Sequence, residues 1–434
     1  MSEKVDVAIV GAGLAGLGAA YHLAAAGLEV LVVERGDYPG SKNVTGGRLY
    51  LNPVRPYFPE LFSEDHIPDL PFEGRVIKER LTMATDEASV SVEYQPDRFR
   101  TEPIHSVTLL RGVFDRWLGD VVSERGAMIV PGYKVDDLVW DGDKVNGIVS
   151  AGDEVLADVV LAADGALSFI AERAGLRKRL QPHHFALGIK ELIELRPAQI
   201  QERFGVQPGE SLSHLFFGSL TQGMLGGGFL YSNRESVSLG IVLGMGAMME
   251  KGDSFQAHEL MDDFKARAEI QPLIAGGRVV EYSAHAIPES SVNSMPSLVC
   301  DGLLLAGDAA GLGLNMGITV RGMDFALASG AMAAQAILSA KEDGDYSARS
   351  LARYETAMRE SFVLQDHRTF AAMPAFLENP RLYTLYPERI TELFEKLFWI
   401  SEEPKPSLWS TIWGTVKGLP WITALRDAWN LRRL

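Results

Sequence analysis

The 434-residue sequence contains a single cysteine, Cys300. One thiol cannot form an internal disulfide, a Cys-x-x-Cys redox pair or the ligand set of an iron–sulfur cluster. The scarcity of cysteine therefore excludes the disulfide reductases and is typical of a protein of the reducing cytosol.

Positive charge and long apolar runs are also scarce. The formal net charge of −16 argues against nucleic acid as the main partner. No uninterrupted run of 18 apolar residues occurs, so we expect no membrane-spanning helix, and we expect no cleavable signal before the first strand. Since 47% of the residues are hydrophobic, the chain is long enough to form more than one core.

The first 35 residues carry the most specific pattern. Lys4–Val10 is a β-branched apolar run, and the sequence G-A-G-L-A-G follows it at positions 11–16. An alanine-rich helical segment then runs to about Ala26, and a second apolar strand at residues 29–33 ends at Glu34. Strand, glycine turn, helix, strand and acid come in the order of a dinucleotide-binding βαβ unit.

Each part of this unit has a physical reason. Gly11 permits the tight turn, Gly13 lets the backbone approach a pyrophosphate, and Gly16 lets helix and strand pack closely. The helix N-terminus offers free N–H groups to the phosphates, and Glu34 can accept hydrogen bonds from the ribose hydroxyls. The alternative is a glycine-rich βαβ turn that binds no ligand.

Two later turns repeat the theme of an acid at the end of a buried strand. An apolar strand at residues 154–161 leads to Asp164-Gly165, and we expect Asp164 to bind water or the pyrophosphate side of a cofactor. Another buried strand ends at Gly307-Asp308, which places Asp308 to bind the ribityl or ribose hydroxyls of a flavin. Residues 315–318 precede an alanine- and glycine-rich helix predicted over 320–339. Its N-terminus near Gly317 would face the isoalloxazine N1/O2 edge.

Two arginines are candidates for the phosphate groups. Arg48 ends a glycine-rich polar loop after the second strand and could reach a phosphate or the flavin edge. Arg111 stands where a strand meets a helix, so its guanidinium could clamp a pyrophosphate bidentately. The alternative for both is an ordinary surface arginine.

A second sheet is predicted from residues 183–246, which are rich in glycine, leucine, phenylalanine and β-branched residues. Strand-like runs there indicate a mostly antiparallel substrate domain, followed by an amphipathic helix over 248–267 and a strand at 279–281. The predicted fold is α/β, a Rossmann-like domain with an inserted antiparallel sheet and a helical C-terminal region. The predicted bounds are 1–75, 105–180 and 281–345 for the cofactor domain, 76–104 and 181–280 for the substrate domain, and 346–434 for the helical region.

The C-terminal region combines tryptophan with positive charge. Five of the seven tryptophans lie in it. From Pro404 onward the sequence contains five basic residues and one acidic residue, Asp427. The tryptophans are Trp399, Trp409, Trp413, Trp421 and Trp429, and the basic residues are Lys405, Lys417, Arg426, Arg432 and Arg433. This composition suits peripheral contact with an anionic membrane surface. Packing onto the body of the protein or onto a partner subunit stays open, so we expect a cytoplasmic protein with optional contact at the inner face of the cell membrane.

The three motifs together resemble the flavoprotein group that includes p-hydroxybenzoate hydroxylase. Within that group, G-D-Y-P-G-S-K-N-V-T-G-G-R-L at 36–49, H-A-I-P-E at 285–289 and G-D-A-A-G-L-G-L-N-M-G-I-T-V-R-G-M-D at 307–324 are similar to the FixC flavoproteins. FixC proteins are relatives of electron transfer flavoprotein–quinone oxidoreductase. The hydroxylases usually place an arginine three residues after the serine that follows Asp-Gly, whereas Ala171 stands there in this chain.

The resemblance implies a bound FAD, a quinone acceptor and an enzyme of the electron transfer flavoprotein–quinone oxidoreductase type. It also implies a heterodimeric partner of the FixA/FixB type and a ferredoxin-like iron–sulfur partner of the FixX type. Such an assembly would oxidise NADH and bifurcate its electrons between ferredoxin or flavodoxin and the quinone, an activity linked to nitrogen fixation. The fused quinone oxidoreductases carry cluster-ligating cysteines near their C-terminus, so here any cluster would belong to a separate protein.

From the motifs and the resemblance we predict a set of cofactor-binding residues. They are Gly11, Ala12, Gly13, Leu14, Ala15, Gly16, Glu34, Arg35, Gly47, Arg48, Arg111, Val135, Ala163, Asp164, Gly165, Gly307, Asp308, Asn315, Gly317 and Ile318. No catalytic acid or base is assigned; His285 and Tyr231 are candidates without a specific argument. No metal ligand is predicted. The alternatives are a flavin-dependent isoprenoid reductase of the geranylgeranyl type, a flavin hydroxylase, and a flavin-bearing scaffold without turnover of its own.

Overall fold

A computed structural model of the chain describes residues 4–42, 46–178, 181–252, 255–289, 292–417, 425–427 and 429. Within these residues the strands, in chain order, are β1 (Lys4–Val10), β2 (Val30–Glu34), β3 (Gly46–Tyr50), β4 (Phe72–Ala84), β5 (Ser89–Tyr94), β6 (Ser106–Leu110), β7 (Met128–Pro131), β8 (Val135–Asp141), β9 (Lys144–Ser150), β10 (Asp153–Ala162), β11 (Phe185–Glu194), β12 (Glu210–Gly218), β13 (Gly226–Ser232), β14 (Ser236–Gly244), β15 (Arg278–Pro288), β16 (Val299–Cys300), β17 (Leu303–Leu305), β18 (Leu314–Asn315) and β19 (Val320–Arg321).

The α-helices of the same residues are α1 (Leu14–Ala25), α2 (Leu51–Val54), α3 (Arg111–Glu124), α4 (Phe169–Arg173), α5 (Pro197–Phe204), α6 (Met245–Glu250), α7 (Ala257–Ala266), α8 (Gln271–Ile274), α9 (Met323–Asp343), α10 (Ala348–Glu360), α11 (Phe362–Thr369), α12 (Met373–Leu377), α13 (Leu385–Phe398) and α14 (Leu408–Lys417).

The first sheet has the strand order β16-β17-β10-β1-β2-β7, with β9 beside β10 and β8 beside β9. β1 runs parallel to both β2 and β10, and β10 runs parallel to β17. Val7, Ala8 and Ile9 are buried, as expected for a parallel strand covered on both faces. The carboxyl ends of β1, β2, β10 and β17 therefore meet at one edge, and the predicted Rossmann-like unit is confirmed.

Helices α1 and α9 pack together with very close backbones. A Cβ atom added to Gly330 of α9 would lie 2.2 Å from the carbonyl oxygen of Ala15. The alanine and glycine content of both helices follows from this approach, since larger side chains would separate them. By length and composition α9 could cross a membrane, but 78% of its most apolar 18-residue segment is buried inside the protein.

The second sheet has the order β15-β11-β14-β13-β12-β4-β6-β3, with β5 beside β4. Its pairs are antiparallel except β4 with β12, so the predicted mostly antiparallel sheet is confirmed. A separate core under it includes Ile189, Leu230 and Phe264. Strands β3 and β6 also belong to this sheet, although their segments are predicted for the cofactor domain, and Leu49 and Val107 pack in the first core. The domain boundaries themselves stay a prediction.

Two predicted helices differ from the structure. The helix expected over 248–267 is divided into α6 and α7, because Gly252 takes a left-handed φ of +82° between them. The helix expected from residue 320 begins at Met323, because Val320 pairs with Asn315 in the β18–β19 ribbon. Strand β15 is also longer than the predicted strand at 279–281.

The C-terminal region is helical, as predicted, and is attached to the first sheet. Tyr354 of α10 is fully buried, and its hydroxyl donates to the carbonyl oxygen of Leu305 at the end of β17 (2.9 Å). Leu377 of α12 approaches the ribbon, since its Cδ2 would lie 3.7 Å from a Cβ atom on Gly317. Trp421, Arg432 and Arg433 lie outside the described residues.

Candidate functional site

A cavity of about 580 Å³ lies between the carboxyl edge of the first sheet and the face of the second sheet. We call its lining from the ends of β1, β2, β10 and β17 the first-sheet wall, which includes Gly11, Gly13, Glu34, Asp164 and Asp308. We call its lining from β12 to β15, with the residue that follows β15, the second-sheet wall: Leu215, Phe216, Phe217, residues 226–229, Tyr231, Val242 and residues 284–289. The volume is within the range of cofactor and ligand cavities.

The glycine turn has the close packing that its sequence predicts. Gly11 has a φ of +102°, and a Cβ atom there would lie 2.4 Å from the carbonyl oxygen of Ala163. A Cβ atom on Gly16 would lie 2.0 Å from the carbonyl oxygen of Gly11. No side chain caps α1 at Gly13, so its first N–H groups remain available to an anion in the cavity.

Glu34 fastens the glycine turn to the end of β2. Its Oε2 accepts a hydrogen bond from the backbone N–H of Ala12 (2.9 Å), and its Oε1 accepts one from Gly36 (2.7 Å). The side chain is buried in the first-sheet wall. Each carboxylate oxygen has a second lone pair, so the group can hold the turn and still accept from a ligand hydroxyl.

Asp164 leaves a buried acceptor unsatisfied. Its Oδ2 accepts from the backbone N–H of Ile170 (3.2 Å), whereas its Oδ1 is buried and has no hydrogen-bond partner among the described residues. Burial raises the pKa of this carboxyl. An unpaired buried acceptor is costly unless a partner arrives, so the first-sheet wall fits a ligand that brings hydroxyl or N–H donors, as FAD does.

Arg111, at the start of α3, and Asp308 of the first-sheet wall bring opposite charges to the cavity. The Nε and Nη2 groups of Arg111 donate to the two carboxylate oxygens of buried Asp115 (2.7 Å each). These two donors are the pair that we predicted to bind a pyrophosphate, and Asp115 occupies them. Arg111 can offer a ligand in the cavity only its remaining N–H donors and its positive charge. Burial raises the pKa of Asp308, and the charges of His285 and Arg111 oppose that rise.

Arg48 is not the surface arginine of the alternative interpretation. It is 9% exposed in β3, its Nε donates to Ser106 Oγ (2.9 Å), and its guanidinium pairs with Glu79. The guanidinium also lies 4.5 Å from the ring centroid of Tyr50. This fixed cation stands in the cavity wall.

The second-sheet wall combines glycine with aromatic residues. A Cβ atom on Gly227 would lie 2.7 Å from the carbonyl oxygen of Phe216, and one on Gly228 would lie 2.5 Å from the Phe264 ring. The glycines therefore leave room for the neighbouring strand and for the Phe264 ring, while Phe217, Phe229 and Tyr231 supply apolar surface. Such a wall suits a flat, apolar ring.

Glu289 is the functional candidate that the sequence reasoning missed. It follows β15, and its Oε1 lies 3.4 Å from the side-chain Nδ2 of Asn315, which donates to it. Burial raises the pKa of Glu289 to about 7. In the sequence, Glu289 is the last residue of the H-A-I-P-E run. That run carries the resemblance to the FixC flavoproteins but by itself predicts no acid–base role.

The structure brings most of the predicted cofactor residues to this one cavity. Those in its wall are Gly11, Gly13, Leu14, Ala15, Glu34, Arg35, Gly47, Arg48, Arg111, Val135, Ala163, Asp164, Gly165, Gly307, Asp308, Asn315 and Gly317. Ala12, Gly16 and Ile318 are not in the wall, and Ile318 is 68% exposed. The expected helix N-terminus at Gly317 is wrong, because the ribbon intervenes before α9. Binding by these residues stays a prediction.

Three family models match parts of the chain. Residues 6–59 match "FAD dependent oxidoreductase", and residues 185–287 match "ETF-QO, ubiquinone-binding". Residues 373–434 match the "ETF-QO/FixC family C-terminal domain". The first model covers the glycine turn, and the second covers most of the second-sheet wall.

Curated relatives align over nearly the whole chain. The probable electron transfer flavoprotein-quinone oxidoreductase YdiS of Escherichia coli K12 is 41% identical, with 98% of this chain and 97% of the relative covered. Protein FixC of Escherichia coli O157:H7 is 43% identical over 92% of each chain. Protein FixC of Rhizobium meliloti is 38% identical over 93% of this chain and 92% of the relative.

Solved structures share the fold. A geranylgeranyl bacteriochlorophyll reductase-like protein from Thermoplasma acidophilum has a TM-score of 0.72 at 22% identity, covering 98% of this chain and 99% of that chain. The myxobacterial chondrochloren halogenase, an FAD-dependent enzyme, has a TM-score of 0.67 at 19% identity. The match covers 91% of this chain and 90% of that chain. At these identities the likeness concerns the fold alone. The relatives and the family models establish that this chain belongs to the FixC family of electron transfer flavoprotein–quinone oxidoreductase relatives and is an FAD-dependent oxidoreductase of that type.

Proposed function

We propose that this FixC-family flavoprotein takes electrons from a heterodimer of the electron-transfer-flavoprotein type and passes them through FAD to a quinone. We place it in an NADH-oxidising, electron-bifurcating assembly that also reduces ferredoxin or flavodoxin. The observation that carries the quinone half of the proposal is that both walls line one shared cavity. Its first-sheet wall has the cofactor motifs, and most of its second-sheet wall, up to Ile287, lies within the segment matched by the ubiquinone-binding model.

The first-sheet wall supplies the groups that FAD requires. The α1 N-terminus beside Gly13 would bind the pyrophosphate, and Glu34 would accept from the adenosine ribose. Asp164 and Asp308 would accept from hydroxyl groups, which would satisfy the buried Oδ1 of Asp164. When bound, FAD supplies the ability to take up and release two electrons.

The second-sheet wall supplies a place for the acceptor. Phe217, Phe229 and Tyr231 would pack on a quinone ring and exclude water from it. A ring held between this wall and the cofactor would receive electrons directly, without an intervening metal centre.

The cysteine content supports separate iron–sulfur and electron-donor partners. Cys300 is the only cysteine, it is half-buried, and burial raises the pKa of its thiol to about 11. The chain therefore cannot ligate a cluster, and ferredoxin-linked chemistry in the assembly must belong to other subunits.

An exposed apolar surface supports contact with the membrane that holds the quinone. We call it the C-terminal patch, formed by the end of α13, the contacting helix α14 and the residues between them. Its large exposed residues are Phe394, Phe398, Trp399, Ile400, Leu408, Trp409 and Trp413. Exposed tryptophan next to Lys405 and Lys417 is typical of an interfacial surface.

Co-purification with its genomic neighbours tests the proposal. We expect the chain to carry FAD, to isolate with a heterodimer of the electron-transfer-flavoprotein type and a small iron–sulfur protein, and to reduce quinone with NADH. Binding to anionic vesicles by the purified assembly would support the membrane contact. A lone FAD-bearing chain that fails to reduce quinone would contradict the proposal, and turnover of a prenyl substrate would favour the isoprenoid reductase instead.

A further inference from the structure

We propose that Glu289 is the proton donor to the quinone oxygen in the second-sheet wall. The inference rests on the proposed function, because it assigns a residue to the quinone reaction. It begins from a difference among the four carboxyl side chains in the described cavity wall, which are Glu34, Asp164, Asp308 and Glu289.

Three of these carboxyls belong to the first-sheet wall and have hydrogen-bond donors or cations beside them. Glu34 accepts two backbone hydrogen bonds, and Asp164 accepts one and is near the charge of Arg177. Asp308 is near the charges of Arg111 and His285. Burial raises the pKa of Asp164 and of Asp308 as well, but both lie in the wall that has the cofactor motifs, where they are placed to accept from cofactor hydroxyl groups.

Glu289 has different surroundings. Among the described residues no cation contributes to its electrostatics, and its Oε1 is approached by the neutral amide of Asn315 at 3.4 Å. Two titratable residues border it. Burial raises the pKa of Tyr383 and the charge of Glu289 adds to that rise, while the carbonyl oxygen of His184 accepts the backbone N–H of Glu289 (2.8 Å).

Glu289 is half-buried in the cavity wall beside Asn315, and burial there stabilises its protonated carboxyl and raises its pKa to about 7. The acid form is therefore populated at neutral pH, as a general acid requires. The other candidates in the wall are less suited. Burial raises the pKa of Tyr231, so the phenol does not readily release its proton. Burial lowers the pKa of His285, so the imidazole is neutral and has no imidazolium proton to donate.

Reduction of a quinone to a quinol takes two electrons and two protons. When bound, reduced FAD would supply both electrons and one proton, and Glu289 would supply the second proton. The O–H bond of the carboxyl breaks as an O–H bond of the quinol forms, which leaves Glu289 as a carboxylate that is reprotonated from solvent.

The test compares two electron acceptors. FAD in the purified full chain is reduced anaerobically with dithionite, and its reoxidation is followed after mixing with a soluble ubiquinone analogue or with ferricyanide, which accepts electrons without protons. The variants are Glu289→Gln, which keeps shape but cannot donate, and Glu289→Asp. The matched control is Glu378→Gln, an exposed glutamate just after α12.

We expect Glu289→Gln to slow reoxidation by quinone about 100-fold and to leave reoxidation by ferricyanide unchanged. Glu289→Asp should recover part of the quinone rate, and Glu378→Gln should match the wild type. In an acid–base titration that requires no turnover, the wild type should bind one proton per chain near pH 7 that Glu289→Gln does not bind.

Two results would overturn the inference, and they are distinguishable. Wild-type quinone rates in Glu289→Gln, or an unchanged proton titration, would contradict the role of Glu289 alone. A wild-type protein that reduces ferricyanide but not the quinone would contradict the proposed function and the inference with it.

Discussion

The two walls of the cavity are built in different ways. The first-sheet wall consists of glycine turns at strand ends. Backbone N–H groups donate hydrogen bonds to Glu34, one of its three acidic residues. The second-sheet wall is assembled from side chains of four strands, and its acid Glu289 is approached by one neutral amide. The difference indicates that the first wall is fixed in advance for a charged cofactor, whereas the second leaves an apolar space with one proton-exchanging group.

The largest effect on stability and cofactor binding should come from adding a side-chain atom to Gly16, which packs against the glycine turn of the first-sheet wall. Gly16→Ala places a Cβ atom 2.0 Å from the Gly11 carbonyl oxygen, so the turn must shift. We expect about 2–3 kcal/mol lower stability and loss of FAD, measured by thermal unfolding and by flavin absorbance per chain. Gly414→Ala is the matched control, because nothing lies within 4 Å of its added Cβ atom. Retention of FAD by Gly16→Ala would show that the turn is not rigid.

Glu34→Gln tests the hydrogen bonds of the same wall. The amide can accept from one of the N–H groups of Ala12 and Gly36, but its NH₂ group then faces the other donor. We expect FAD affinity to fall about 10- to 100-fold, measured by flavin fluorescence titration. Glu29→Gln changes an exposed glutamate and should bind FAD normally. Unchanged affinity in Glu34→Gln would remove Glu34 from the cofactor site.

Glu289 of the second-sheet wall should make the stability of the protein depend on pH. The folded-state pKa of Glu289, about 7, is above that of an unfolded glutamate, about 4.3. Its contribution to stability is therefore complete below about pH 4.3 and is lost as the pH rises through 7. Glu289→Gln should unfold at a higher temperature than the wild type at pH 8 and at a similar temperature at pH 4. An equal difference at both pH values would contradict the assignment.

Asn315→Ala sharpens the same comparison. The amide of Asn315 lowers the pKa of Glu289, so its removal should move the pH midpoint of quinone reduction upward. The midpoint is measured from the rate of flavin reoxidation by a quinone analogue between pH 5 and 9, buffer by buffer. A downward movement would mean that another group titrates there.

The smallest effect on the folded protein should come from the C-terminal patch, outside both walls. Phe398 and Trp409 are 77% and 72% exposed, so Phe398→Ser with Trp409→Ser should change stability by less than about 0.5 kcal/mol. Binding to anionic vesicles should fall about tenfold or more in sedimentation assays. Met249→Ser removes an equally exposed apolar side chain from α6 and should bind as the wild type does. Unchanged vesicle binding combined with loss of a partner subunit would assign the patch to the assembly.

The sequence predicted the first-sheet wall well because its signals are local. Each turn is a short run after an apolar strand, so Gly11, Glu34, Asp164 and Asp308 could be named without knowledge of the rest of the chain. The sheet types followed from the same periodicity.

The second-sheet wall was less predictable because it depends on contacts between distant segments. Glu289 gains its character from burial and from Asn315, which no spacing reveals. Likewise, the start of α9 was misplaced because the pairing of Val320 with Asn315 competes with a favourable helical pattern. Asp115 could not be identified as the partner of Arg111 until α3 placed both on one helix face.

The most direct test of the account is whether one cavity holds the cofactor and the acceptor together. FAD in the isolated chain is reduced under anaerobic conditions, and a soluble ubiquinone analogue is added in known amounts. The account predicts reoxidation of the flavin with one quinone reduced per FAD, in the absence of any other protein or metal centre. A reduced flavin that persists beside excess quinone, yet reacts at once with ferricyanide, would contradict it.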